Sequence, residues 1–171
     1  MLPRTLRTSR LLLRPFSPED GPTVLAYWRS DPNWARFNES VPDDFDEQDA
    51  ARFVLGMIAR DPAQAPNWVL VHEEQVVGVV SLVFDPDLQG AVLGFGIHAA
   101  LRGRGLTAEA ARAVLHAGFA NEAALAEVRA YTDPANVPSM RVLAKLGFTQ
   151  VERPAEGTVF RLSRVQASST A

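Results

Sequence analysis

The stretch LGFGIHAALRGRGLTAEA (residues 93–110) decides how the rest of the chain is read. It opens with an apolar run of strand composition and closes in an alanine-rich run with helical spacing. Between them, Arg102-Gly103-Arg104-Gly105 alternate charge with glycine. A helix N-terminus carries unpaired backbone N–H groups and about half a positive charge, so it attracts phosphate. Glycines just before it let the backbone come close to an anion, and positive φ there aims successive amides to one side. Arg102 and Arg104 add charge where a diphosphate would arrive. LRGRGLT therefore reads as a diphosphate cradle, with a plain glycine turn as the alternative for these residues taken alone.

The same stretch contains Gly94-x-Gly96-x-x-Ala99, which matches the dinucleotide-binding pattern on paper. That pattern needs its glycines in the turn between a strand and a helix, with an acid about 20 residues on. Here the glycines lie inside the strand, and the position for the acid falls within the long helix. Gly94 and Gly96 read instead as a bulge, or as a strand edge that another chain or a ligand approaches closely.

Working outward, AVLGFGIH (91–98) is a strand, and a long helix is expected over roughly 105–121, with Leu106, Ala110, Ala113, Val114, Ala117 and Gly118 along one side. NWVLVHE (67–73) and QVVGVVSLVF (75–84) flank a Glu73–Glu74 turn as the arms of a β-hairpin. SRLLLRPF (9–16) reads as a strand, followed by a helix start at Ser17, Pro18, Glu19 and Asp20. DEQDAARFVLGMIARD (46–61) is a second helix, and PNWARFNESVPDDF (32–45) a loop or short helical piece. Downstream, EVRAYTD (127–133) is a strand and SMRVLAKLGF (139–148) a helix stopped by Gly147. TQVERP and GTVFRLSRV pair as a terminal hairpin. The order is β-α-α-β-β-β-α-β-α-β-β in one domain, residues 1–171. Strands alternate with helices only in the second half, which predicts an α/β fold with a mixed sheet.

Composition narrows the function. The 171 residues are 47% apolar and 22% charged, and the net charge of −3 argues against a nucleic-acid surface. The chain has no cysteine, so disulfides, thiolate metal sites and a cysteine-borne covalent intermediate are excluded. No metal is expected. Arginines interrupt every apolar run of MLPRTLRTSRLLLRPF, unlike a signal peptide, and no stretch approaches the ~20 apolar residues that span a bilayer. The expected location is cytoplasmic, with no membrane partner.

Four stretches together resemble the GNAT superfamily of N-acetyltransferases, in particular its RimJ/RimL-like branch. TSRLLLRPFSPED (8–20) is similar to the branch's opening strand and helix cap. Arg102-Gly103-Arg104-Gly105-Leu106-Thr107 resembles the acetyl-CoA motif Q/R-x-x-G-x-G/A, with Thr107 departing from the final small residue. DPANVPSMRVLAKLGF (133–148) resembles the second cofactor segment, and WVLVHEEQVVGVVSL fits the remaining core. The resemblance covers roughly residues 8–164. It implies a mostly antiparallel twisted sheet of about seven strands with helices on both faces. Two parallel strands, 91–98 and 127–132, would splay apart around acetyl-CoA as co-substrate. It also implies that backbone near Ile97 and His98 meets the pantetheine arm and that the amides of residues 102–107 hold the diphosphate. Asn136 would reach the pantetheine or acetyl region, and a homodimer is the branch's implied assembly.

The implied reaction is acetyl transfer to a primary amine of a peptide N-terminus or a small molecule. Without cysteine, direct attack in a ternary complex is the consistent route. Ser139 is the candidate donor to the departing thiolate, by resemblance to a serine in this branch; capping its helix is the competing role. His98 is a candidate base beside the cofactor, with packing as the alternative. Arg141 and Lys145 could meet cofactor phosphates or line a solvated face, and Glu109 fits the helix dipole. Trp34 and Phe37 are candidate walls for the acceptor, with Glu39, Asp43 and Asp44 as charges that could attract it. No strong base stands out. An α-amine with pKa near 7.7–8 gives up about 1 kcal/mol to become neutral at pH 7, a lysine more than ~4 kcal/mol, which favours α-amines. A catalytically silent domain that binds acyl-CoA as a sensor or scaffold is the alternative function.

Overall fold

The computed structural model describes residues 1–31, 44–85, 90–152 and 157–164. Its single sheet has eight strands: β1 (Leu6–Arg7), β2 (Leu12–Arg14), β3 (Asn67–His72), β4 (Gln75–Asp85), β5 (Gly90–Ile97), β6 (Glu127–Thr132), β7 (Thr149–Glu152) and β8 (Thr158–Ser163). They run in the order β1-β2-β3-β4-β5-β6-β8-β7. All neighbours are antiparallel except β5 and β6. The eighth strand, beyond the seven expected, is the two-residue β1, whose pattern is too short to register in a sequence.

Among the described residues four α-helices flank the sheet: α1 (Gly21–Arg29), α2 (Glu47–Ala59), α3 (Leu106–Asn121) and α4 (Val137–Lys145). Successive residues of a strand point to opposite faces, and the core divides accordingly. Trp68, Leu70, Val80, Leu82 and Leu93 pack with Leu106, Val114 and Leu143 from α3 and α4. Val69 and Val79 pack on the other face with Val24, Trp28, Val54 and Met57 from α1 and α2. Helices therefore cover both faces.

Local chemistry explains where the elements start. Asp46 caps α2 by accepting from the Gln48 and Asp49 amides, and Asp49 returns the favour to the Asp46 amide, forming a capping box. The fourth helix opens two residues earlier than expected, at Val137, because the Asn136 side chain rather than Ser139 caps it. Past its end, Gly147 takes φ +86°, as expected for a helix stop.

The β3–β4 turn is less comfortable. Both Glu73 (φ +49°) and Glu74 (φ +66°) occupy the left-handed region, the geometry of a hairpin turn that favours Asn-Gly. Replacing the pair, Glu73→Asn with Glu74→Gly, is expected to raise stability by about 1 kcal/mol in urea unfolding.

Candidate acetyl-CoA site

The β5 and β6 strands pair only at Gly90–Val92 against Glu127–Arg129. Beyond that they part, while β5 stays paired with β4 through Ile97 opposite Gly78. The main chain of residues 93–97 is therefore left without a strand on one edge. Alternation says which groups face the gap. The His98 amide donates to Val77 O at 2.7 Å, toward β4, so the groups of Ile97, Phe95 and Leu93 point the opposite way, into the opening. The close approach of β4 depends on Gly78, where a Cβ would lie 2.3 Å from Gly96 O.

The opening is part of a cleft of about 910 Å³, within the range of small-molecule sites. Its far end is the start of α3. Gly103 (φ +78°) and Gly105 (φ +80°) both adopt the left-handed conformation, and Gly105 is the N-cap of the helix. The amide of Glu109 closes the first helical bond on Gly105 O at 3.0 Å. The amides of residues 103–108 donate to nothing among the described residues, and Gly103, Gly105, Leu106, Thr107 and Ala108 line the cleft. Two left-handed glycines and a free first turn form an anion-binding concavity. An extended ligand bearing a diphosphate, with amide groups that can add to the open edge of β5, fits this arrangement.

The structure places the candidate residues unequally. Ile97, Arg102, Gly103, Gly105, Leu106, Thr107, Asn136 and Ser139 all line the cleft; His98 and Arg104 do not. The His98 ring is turned back on its own turn, with Nδ1 accepting from the Ala100 amide at 3.3 Å. The Arg102 amide is donated to Ala99 O, and its guanidinium is bound by Asp31. The Asn136 Oδ1 accepts from the Ser139 amide at 3.2 Å, which leaves its NH₂ group free to donate into the cleft. The Ser139 hydroxyl has no partner among the described residues and lines the cleft, so it is free to donate. Arg141 and Lys145 are exposed at the rim. Trp34, Phe37, Glu39 and Asp43 lie outside the described residues, and Asp44 is exposed.

Three ionisable lining residues escaped the sequence reading: Asp31, Tyr131 and Asp133. Asp31 is only 7% exposed, at the end of α1. Its role depends on Arg102, 71 positions away, and no local pattern in RSDPN announces it. Tyr131 would have followed from counting alternate positions along β6, since it is the exposed residue two beyond Arg129.

Glu109 is anchored rather than poised for chemistry. Burial pushes its carboxyl up, but hydrogen bonds from Thr8, Arg10 and Ser9 outweigh this and hold its pKa at about 2, against an ordinary 4.5. A depressed carboxyl stabilises the fold fully above its unfolded pKa and loses that contribution as pH falls toward the folded value. Solvent screening at this partly exposed site reduces the contribution of that gap to on the order of 1 kcal/mol, lost between about pH 5 and pH 2. Urea unfolding across that range should show the loss, and Glu109→Gln should flatten it.

The acetyltransferase (GNAT) domain family matches residues 10–149. The chain belongs to the GNAT family of acetyltransferases. An uncharacterized N-acetyltransferase, YnaD of Bacillus subtilis (strain 168), is 31% identical over 143 residues, covering 83% of this chain and 81% of that protein. A GNAT-family acetyltransferase from Bacillus anthracis superimposes with a TM-score of 0.81 at 22% identity, over 94% of this chain and 99% of that one. RimL, a ribosomal L7/L12 alpha-N-protein acetyltransferase in complex with coenzyme A, gives 0.73 at 15% identity, over 95% and 97%. These likenesses show the same fold over nearly the whole chain. As a GNAT enzyme the chain is an acetyl-CoA-dependent N-acetyltransferase. Among the described residues no group of side chains could hold a metal ion, and no helix is long and apolar enough to cross a membrane.

Proposed function

We propose that this enzyme acetylates a primary amine, with the α-amine of a protein or peptide as the favoured acceptor and a small-molecule amine as the second class. Direct attack within a ternary complex is the proposed route. The observation that carries this reading is the splayed β5–β6 opening leading to the left-handed glycines at the start of α3. Acetyl-CoA supplies an activated acyl thioester. The amides of residues 103–108 bind its diphosphate, and the outward edge of Leu93, Phe95 and Ile97 holds the pantetheine arm and polarises the carbonyl. The acceptor nitrogen attacks the carbonyl carbon, the C–S bond breaks as C–N forms, and water takes the proton lost from nitrogen. The Ser139 hydroxyl donates to the departing sulfur. The ring of His98 lies away from the cleft lining, which favours the water relay over a histidine base. RimL acts on a protein α-amine, which supports the same acceptor class here.

The test is acetylation of peptides bearing either a free N-terminus or a blocked N-terminus with one lysine, followed by mass spectrometry. Acetylation of the free N-terminus at least ~10-fold faster supports the α-amine reading; preference for lysine overturns it. Ser139→Ala should lower kcat about 10-fold with little change in the KM for acetyl-CoA, as expected for one lost hydrogen bond in the transition state.

A further inference from the structure

A heavily hydrogen-bonded carboxylate lies not in the cleft but directly behind its glycine turn. Glu109 Oε1 accepts from the Thr8 hydroxyl (2.6 Å), the Ser9 hydroxyl (3.0 Å) and the Arg10 amide (2.9 Å). Its Oε2 accepts from the Arg10 guanidinium through Nε at 2.7 Å and Nη2 at 2.6 Å. The same guanidinium donates from Nη1 to the carbonyl oxygen of Arg104 at 3.0 Å. Its Nη2 also sits 3.6 Å from the point where a Cβ on Gly105 would lie. The segment Thr8–Arg10 is thus tied both to the first turn of α3 and to the peptide between the two left-handed glycines.

A trans peptide is planar, and its C=O and N–H point in opposite directions. Holding the Arg104 oxygen on one side therefore aims the Gly105 N–H to the other, and that amide has no partner among the described residues. Charge acts in the same sense. Glu109 stands one helical turn from where an anion would sit, and alone it would repel a diphosphate. The Arg10 cation on its carboxylate offsets that field.

We infer that Thr8, Ser9 and Arg10 are positioning residues for donor binding, with Arg10 clamping the Arg104 carbonyl and Glu109 so that the cradle amides face the diphosphate. The inference rests on the reading of residues 103–108 as the diphosphate site. It gives Thr8-Ser9-Arg10 a job in donor binding that their place before a strand does not suggest.

The discriminating experiment compares two acetyl donors, acetyl-CoA and S-acetylpantetheine, which lacks the diphosphate, in the wild type, Arg10→Ala and Arg10→Lys. Each variant is assayed well below its own Tm with one acceptor peptide. Loss of a charge-assisted hydrogen bond and its aim predicts that Arg10→Ala raises the KM for acetyl-CoA about 10-fold or more. Its kcat and the KM for S-acetylpantetheine should stay within about 2-fold. Arg10→Lys keeps the charge but cannot bridge both partners, so it should show the same split at smaller size; it also serves if Arg10→Ala does not fold. An equal loss with both donors would reduce Arg10 to a structural tie and overturn the inference. Unchanged KM values in both variants would overturn it too. If the wild type itself uses the two donors equally well, the diphosphate reading falls and takes the inference with it. A wild type that prefers acetyl-CoA beside variants that keep the preference removes the inference alone.

Discussion

Gly105→Glu should abolish useful binding of acetyl-CoA while leaving a folded protein. The residue sits at φ +80° at the N-cap of α3, where any side chain meets the left-handed penalty of about 1–2 kcal/mol. That strain by itself lowers stability modestly, because the Cβ meets no backbone and only Arg10 Nη2 at 3.6 Å. Binding suffers far more. A carboxylate beside the amides of residues 103–108 competes for the same donors and repels the diphosphate they would hold. Losing two charge-assisted hydrogen bonds at ~1.5–3 kcal/mol each puts the rise in Kd at about 100-fold or more. Calorimetric titration with acetyl-CoA reads this directly, and Gly105→Ala separates strain from charge, with a rise of about 10-fold or less. A Kd for Gly105→Glu within ~3-fold of wild type would mean that the cradle does not bind the diphosphate.

The second large effect is on stability and lies away from the cleft. Asp20 is 4% exposed, and its two oxygens accept from Arg14 Nη1 (2.9 Å) and Nη2 (2.7 Å), while Oδ2 also takes the Ser17 amide at 2.8 Å. The paired carboxylate raises the Arg14 pKa, mainly through this hydrogen bond. Together these bonds join the end of β2 to the entry of α1. Asp20→Ala strands a half-buried guanidinium and an amide, and breaking a buried pair in this way costs about 3 kcal/mol or more. In a chain of this size that lowers Tm by roughly 6–12 °C. Asp20→Asn keeps the shape and one acceptor and should cost about half as much. Thermal unfolding by circular dichroism is sufficient. A loss below ~1 kcal/mol for Asp20→Ala would show that solvent already screens the pair.

Much of the site was legible because its chemistry is local. Glycines flanked by arginines before an alanine-rich helix place a cradle by rules that act within a few residues, and Gly103 and Gly105 take the conformation those rules require. The same holds for the helix stop at Gly147. Ser139 was harder, since Asn136 and Ser139 both suit a helix start and only the backbone decides that Asn136 caps. That decision is what frees the Ser139 hydroxyl. His98 shows the opposite outcome. Its place at the end of β5 suggested a base, but residue 98 falls on the side of the strand that bonds to Val77, and the ring folds onto Ala100.

By itself, then, the amino-acid sequence determined the succession of strands and helices after β1, the glycine turn before α3 and the absence of any thiol chemistry. Only the tertiary structure decided that β5 and β6 part after Val92, that Asp31 takes Arg102, and that Thr8, Ser9 and Arg10 converge on Glu109. The physical reason is range. Turn and cap preferences are set by a residue and its near neighbours, whereas an ion pair across 71 or 99 positions exists only once the sheet has brought its ends together.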